Sequence, residues 1–250
     1  MRFLLPAFLA ASFCAVTALG EEVQLSTVAG EASPTKRKYG PYVSVSAGET
    51  FGQDADVRIG SRQYPLESVS GSAIFSVEVG KSWKLKKLPV MVSVSADATF
   101  MSTTLRGSLP AASLPNASDV ARYEADMNSL FFTLNGSLAL DLYRYRARIG
   151  NILGGFRPYI GGGLGGGQVW YRNASALSRD QVGGGATAAN ATPFSIDEFT
   201  NAWNWYIGLE WTWKDRYSVF LEYRDFYFGD LEDMTNFSTD GYLLGFRYRY

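Results

Sequence analysis

From Tyr42 to Tyr250, hydrophobic and polar positions alternate with period two in eight separate stretches. Such alternation marks strands with one large apolar face and one small or polar face. The first sets Val43, Val45 and Ala47 against Ser44, Ser46 and Gly48; the second sets Ala73, Phe75, Val77 and Val79 against Ser72, Ser76, Glu78 and Gly80. Ile74 breaks the polar side of that second stretch. The third, Val90 to Phe100, is the cleanest, with Ser93, Ser95, Asp97 and Thr99 opposing valine, alanine and Phe100. The fourth places Leu130, Phe132, Leu134, Leu138, Leu140 and Leu142 against Thr133, Asn135, Ser137, Ala139 and Asp141. The fifth is Pro158-Tyr159-Ile160 and the glycine-rich run Gly161 to Gly167. In the sixth, Trp203, Trp205, Ile207, Leu209, Trp211 and Trp213 oppose Asn204, Tyr206, Gly208, Glu210 and Thr212. The seventh opposes Tyr217, Val219, Leu221 and Tyr223 to Ser218, Phe220, Glu222 and Arg224. The last opposes Tyr242, Leu244, Phe246, Tyr248 and Tyr250 to Gly241, Leu243, Gly245, Arg247 and Arg249.

The connections run long, short, long, short, long, short, long. The first loop reaches about Ser70, and the second about Asp126, with one or two helical turns predicted over Ser118–Ala125 and capped by Ser118. The third loop spans Arg172 to about Asn201, and the acidic fourth Gly229 to Asp240. The short turns are Lys81–Pro89, the basic stretch Arg144–Arg157, and Lys214-Asp215-Arg216. An even number of strands joined by alternating short turns and long loops predicts an all-β fold, an eight-stranded antiparallel up-and-down transmembrane β-barrel over residues 39–250. The structural rival is a soluble eight-stranded barrel with the apolar face inside. Two features decide against it. The bulky face of the sixth stretch overfills an eight-stranded interior. The other face carries Glu78, Asp97, Asp141, Glu210, Glu222, Arg224, Arg247 and Arg249, which suits a narrow lumen closed by ion pairs.

Composition settles the compartment. Met1-Arg2, the apolar run Phe3–Val16 and Ala18-Leu19-Gly20 read as a secretory signal over residues 1–20, followed by a flexible tail over residues 21–38. An uncleaved anchor would need about 20 apolar residues. Cys14, the one cysteine, lies inside that signal, so the mature chain offers neither disulfides nor thiol chemistry. Loss of Arg2 takes the formal net charge from −1 to −2, which argues against nucleic acid as a partner. A mean hydropathy of −0.07 fits a barrel whose strands show lipid only one face.

The signal, the eight stretches, Pro158-Tyr159-Ile160-Gly161-Gly162-Gly163 and the aromatic closing strand together resemble the small bacterial outer-membrane barrels related to OmpA, OmpX and the opacity proteins. The resemblance implies an outer-membrane location among lipid and lipopolysaccharide, and a monomer. It also implies that Gly245, Tyr248 and Tyr250 form the signal read by the barrel-assembly machinery, with Tyr in place of the commoner terminal Phe. It leaves activity open, since the family spans anchors and adhesins. Enzymes on such barrels use a histidine base, and this chain has no histidine. No cofactor or metal site is expected; without His or mature Cys, metals reduce to hard cations on carboxylates. Gly161, Gly163 and Gly166 satisfy GxGxxG, but Gln168-Val169-Trp170-Tyr171 continues as strand where a dinucleotide site needs a helix. Asn-X-Ser/Thr patterns such as that at Asn135 carry no meaning in a bacterial envelope. Two functions remain: a plugged barrel serving envelope structure or surface interaction through its loops, or a small passive channel. The basic short turns and the acidic last loop point to anionic phospholipid at one end and cation-bridged lipopolysaccharide at the other.

Overall fold

The computed structural model describes residues 39–52, 56–59, 62–65, 68–70, 72–85, 88–108, 122–177, 197–213, 216–231, 234–235 and 237–250; the expected signal and tail lie outside the described residues. Eight long strands make the wall: β1 (Pro41–Gly52), β2 (Ser72–Lys84), β3 (Val90–Ser108), β4 (Arg122–Leu140), β5 (Phe156–Leu177), β6 (Asp197–Trp213), β7 (Tyr217–Phe228) and β8 (Ser238–Arg249). Each pairs antiparallel with its neighbours in sequence, and β8 pairs with β1 to close the barrel. Partnered residues followed once around run Tyr42, Gly80, Ser95, Asn135, Gly163, Asn204, Phe226, Thr239 and back to Gly52. The path returns ten residues along β1, which with strand spacings of about 4.8 Å and a rise of about 3.3 Å sets a tilt of roughly 40°.

The alternation places side chains as period two demands. Leu134, Ile160, Ile207, Leu221 and Leu244 stand exposed on the outer wall, while Ser44, Ser95, Asn135 and Arg247 are buried within. Aromatic groups border this apolar band at both edges. Near the short turns, Trp211, Trp213, Tyr217, Phe246, Tyr248 and Tyr250 form one chain of ring contacts. Near the long loops, Trp203 stacks on Tyr227 at 3.9 Å, with Trp205, Tyr223, Tyr242 and Phe51 alongside. An apolar exterior between two aromatic girdles is the wall of a bacterial outer-membrane barrel.

The structure corrects the extent of several elements. β3 continues to Ser108 and β4 begins at Arg122, so Arg122–Ala125 is strand where helical turns were expected; residues 118–121 lie outside the described residues. The pairing decides the outcome, because Ala125 lies opposite Leu105 and both are fully buried in the barrel. β5 and β6 likewise extend into the expected third loop. The first loop holds short strands, Asp56–Ile59, Arg62–Pro65 and Ser68–Ser70. Two of these join Met234–Thr235 of the fourth loop in a small sheet. The basic stretch before β5 contains a 3₁₀ turn, Leu142–Tyr145, and a helix, α1 (Arg146–Leu153).

Beyond the apolar band the wall inverts. Outside, Thr104 and Asp126 hydrogen-bond across β3 and β4, and Arg106 and Arg172 are exposed. Inside, Ile74, Met101, Leu105, Met127, Phe131, Val169, Tyr171, Phe226 and Phe228 are buried in one apolar cluster. Leu231 and Phe237 enter this cluster from the fourth loop, and Phe228 packs between Phe131 and Phe237 at 4.7 and 4.8 Å.

Candidate functional site

Below the apolar cluster, the lumen is a network of charges. β8 turns Arg247 and Arg249 inward because Phe246, Tyr248 and Tyr250 take the lipid side. Glu210 of β6, only 1% exposed, receives them. Arg247 Nη1 donates to its Oε2 at 2.7 Å and Arg249 Nη2 to its Oε1 at 2.6 Å. Arg247 Nη2 reaches past β1 to Glu78 Oε2 at 2.9 Å; Ser44 donates to the same oxygen and Tyr42 to Oε1. Arg224 binds Glu222 through Nε at 2.7 Å and Asp97 through Nη1 at 2.8 Å. Ser76 and Thr99 donate to Asp97, and the Tyr159 hydroxyl donates to Glu222.

The eight lumen residues singled out in the sequence therefore fall into two clusters and one outlier. Glu78, Glu210, Arg247 and Arg249 form the first; Asp97, Glu222 and Arg224 the second. Asp141 sits one residue past β4, at the mouth on the side of the short turns. There it meets Lys84 at 3.5 Å and Arg157 at 3.5 Å and accepts from the Tyr39 hydroxyl at 2.7 Å. Arg157, which the sequence pattern puts in a turn, is instead a buried residue of β5 and bridges Asp141 to Glu210. Its signal was its parity with Tyr159, another inward residue of β5. Gly245, Tyr248 and Tyr250 lie on the closing strand, and the Tyr250 N–H donates to Pro41 O at 3.1 Å.

Aromatic rings fill the space between the ion pairs. Arg247 lies over the Tyr42 ring at 4.5 Å and the Phe220 ring at 5.0 Å; Arg224 lies over Tyr206 at 5.0 Å. Each ring crosses a glycine on the neighbouring strand: Tyr42 over Gly80, Tyr159 over Gly208, Tyr206 over Gly161 and Phe220 over Gly245. A Cβ on any of these glycines would collide with the ring, so these four glycines, Gly161 of the β5 run among them, provide the interior space that the rings fill. Gly161, Gly163 and Gly166 sit mid-strand with no helix following, which removes the dinucleotide pattern.

Each of these lumen carboxylates faces a guanidinium, so the site neutralises charge within a low-dielectric wall. Among the described residues, no group of three or more Asp, Glu, His or Cys side chains is arranged to hold a metal ion.

No protein-family model matches the sequence, and no curated protein matches it. Among solved structures, Neisserial surface protein A aligns at 14% identity and TM-score 0.38, covering 84% of this chain and 97% of that one. Ail, the attachment invasion locus protein of Yersinia pestis, in complex with the heparin analogue sucrose octasulfate, aligns at 13% and 0.36, covering 84% and 99%. The outer membrane enzyme PagL aligns at 15% and 0.35, again covering 84% and 99%.

Proposed function

We propose that this outer-membrane barrel does not conduct, and that it serves envelope structure or surface interaction through the loops carried on its projecting strands. The carrying observation is the double occupation of the lumen, by ion pairs in the membrane half and by the Phe131–Phe228–Phe237 stack above it. An eight-stranded interior is just wide enough for side chains to fill it. A non-catalytic role follows from the same chemistry: the buried acids are held by arginines, and the sequence supplies no histidine base. The strand ends that bear the long connections lie away from the short turns, so the reading implies an orientation, with Asp230 outside the cell and Arg148 in the periplasm.

Planar-bilayer recording of the refolded protein tests the lumen. Electrical silence is expected, and steady, reproducible single-channel steps would establish the passive channel instead. Orientation is tested by Asp230→Cys and Arg148→Cys labelled with an impermeant maleimide on intact cells. Only the first should react; labelling of the second alone would place the loops in the periplasm.

A further inference from the structure

We infer that the end of the barrel bearing the short turns is a built binding collar for anionic phospholipid, formed by α1 and the turn between β2 and β3. It stands whether or not the lumen conducts. Two observations meet there. The first is apolar exposure outside the spanning strands. Ile152 and Leu153, at the end of α1, are 73% and 56% exposed, and Leu88 in the neighbouring turn is 53% exposed. These side chains are not on a stray loop. Gly154 and Gly155, which follow them, are buried; the Thr212 N–H donates to Gly155 O at 3.1 Å, and a Cβ on Gly155 would strike the Trp211 indole. That attachment fixes Ile152 and Leu153 at the level of the aromatic girdle, where acyl chains meet headgroups. A short helix with an apolar end and basic residues before it is suited to lie in that interface.

The second observation is charge. Arg148 and Arg216 are exposed, Lys84 is partly exposed, and Lys81 lies by Trp83 at 5.6 Å on the wall. The same connections also carry Lys86, Lys87, Arg144 and Arg146 in sequence, against Asp141 and Asp215. Asp141 pairs with Lys84 and Arg157 at the mouth, so it offsets Lys84 and leaves the exposed Arg148 and Arg216 to set the charge of the rim. The last loop at the opposite end carries Asp230, Glu232, Asp233 and Asp240 with no basic residue among residues 229–240. An acidic headgroup with acyl chains matches both halves of the collar: phosphate for the cations, hydrocarbon for Ile152, Leu153 and Leu88. A zwitterionic lipid matches only the second.

The test counts lipids. The chain, refolded in neutral detergent, is titrated with phosphatidylglycerol or phosphatidylcholine, and retained lipid is read by native mass spectrometry. Phosphatidylglycerol should be retained at least tenfold better, with the preference shrinking as salt rises. Each of these cations removed should weaken it by about fivefold, so Lys81→Gln, Arg148→Gln and Arg216→Gln together should abolish the preference. Arg106→Gln with Arg172→Gln, at the other end, should leave it intact. Ile152→Ser with Leu153→Ser should lower retention of both lipids without changing their ratio. Photoreactive phosphatidylglycerol should label residues 141–157. Circular dichroism and heat-dependent gel mobility verify folding of each variant; should the triple variant misfold, Arg148→Gln alone still carries the fivefold expectation. Equal retention of the two lipids, an unchanged preference in the folded variants, or labelling confined to residues 229–240 would overturn the proposal.

Discussion

The membrane half of this barrel and its outer half are built from the same strands with opposite rules. Along β4, Leu134 and Leu138 face outward while Thr133 and Asn135 face the lumen; one turn of pleat higher, Asn128 and Asp126 face outward while Met127 and Ala125 are buried within. The backbone does not change, and the ladder with β3 runs unbroken from Val90 to Ser108. What changes is the solvent around the wall. Inside a bilayer, burial of apolar groups in the lumen gains nothing over burial in lipid, so the interior is free to hold charges that pair. Above the bilayer, water surrounds the wall and the ordinary hydrophobic effect puts apolar groups within. The level at which the strands exchange rules marks the membrane surface from the protein's own side.

Substitutions that respect one rule and violate the other break the comparison most directly. The largest effect is expected in the charged half. Glu210→Ala strips partners from Arg247, Arg249 and Arg157 at once and should cost about 3–5 kcal/mol in a refolding titration, the usual result of orphaning buried charge. A loss under about 1 kcal/mol would mean that water already reaches the arginines. In the outer half, Phe131→Ala removes a fully buried ring from the stack and should cost about 3–5 kcal/mol. Retention of full stability there would show that the apolar cluster is not packed as a core. Leu221→Arg, midway along β7 on the outer wall, should cost about 2–4 kcal/mol in lipid, whereas Asn128→Arg on the outer wall above the band should stay within about 0.5 kcal/mol. Equal costs for these two would erase the proposed membrane level. The smallest equilibrium effect belongs to Tyr250→Asp, because the ring is exposed at the end of the wall. Refolded stability should hold within about 0.5 kcal/mol. If Gly245, Tyr248 and Tyr250 are read during assembly, folded barrel in cells should nevertheless fall; unchanged amounts would refute that reading.

This contrast also explains what the sequence made legible. The inward parity of Glu78, Asp97 and Glu222 is legible because the positions on either side of each are apolar, and Arg224 follows in phase with Glu222. The same rule ended β3 at Phe100, because Thr103 and Leu105 keep the inward parity while polarity exchanges sides around them. It also hid the start of β4, where Tyr123, Ala125 and Met127 alternate in the opposite phase to Leu130, Phe132 and Leu134. Ile74, the break noted in the second stretch, was the visible trace of the exchange: it is the first inward apolar residue on β2. α1 was not legible because Gly150, at φ 86°, interrupts its helical pattern.

The distribution of the lumen charges along the chain has a kinetic consequence. Glu78 and Asp97 lie on β2 and β3, but the guanidiniums that meet them come from β8 and β7, 169 and 127 residues later. A partly assembled sheet holding only the early strands would carry these carboxylates with no cation to face, so it must keep them wet and stay open. Arrival of the last hairpin supplies Arg224, Arg247 and Arg249 together, with the seam register of β1 and β8. The step that zips the cylinder shut is thus also the step that expels its water, and these three arginines make premature closure around fewer strands a poor competitor.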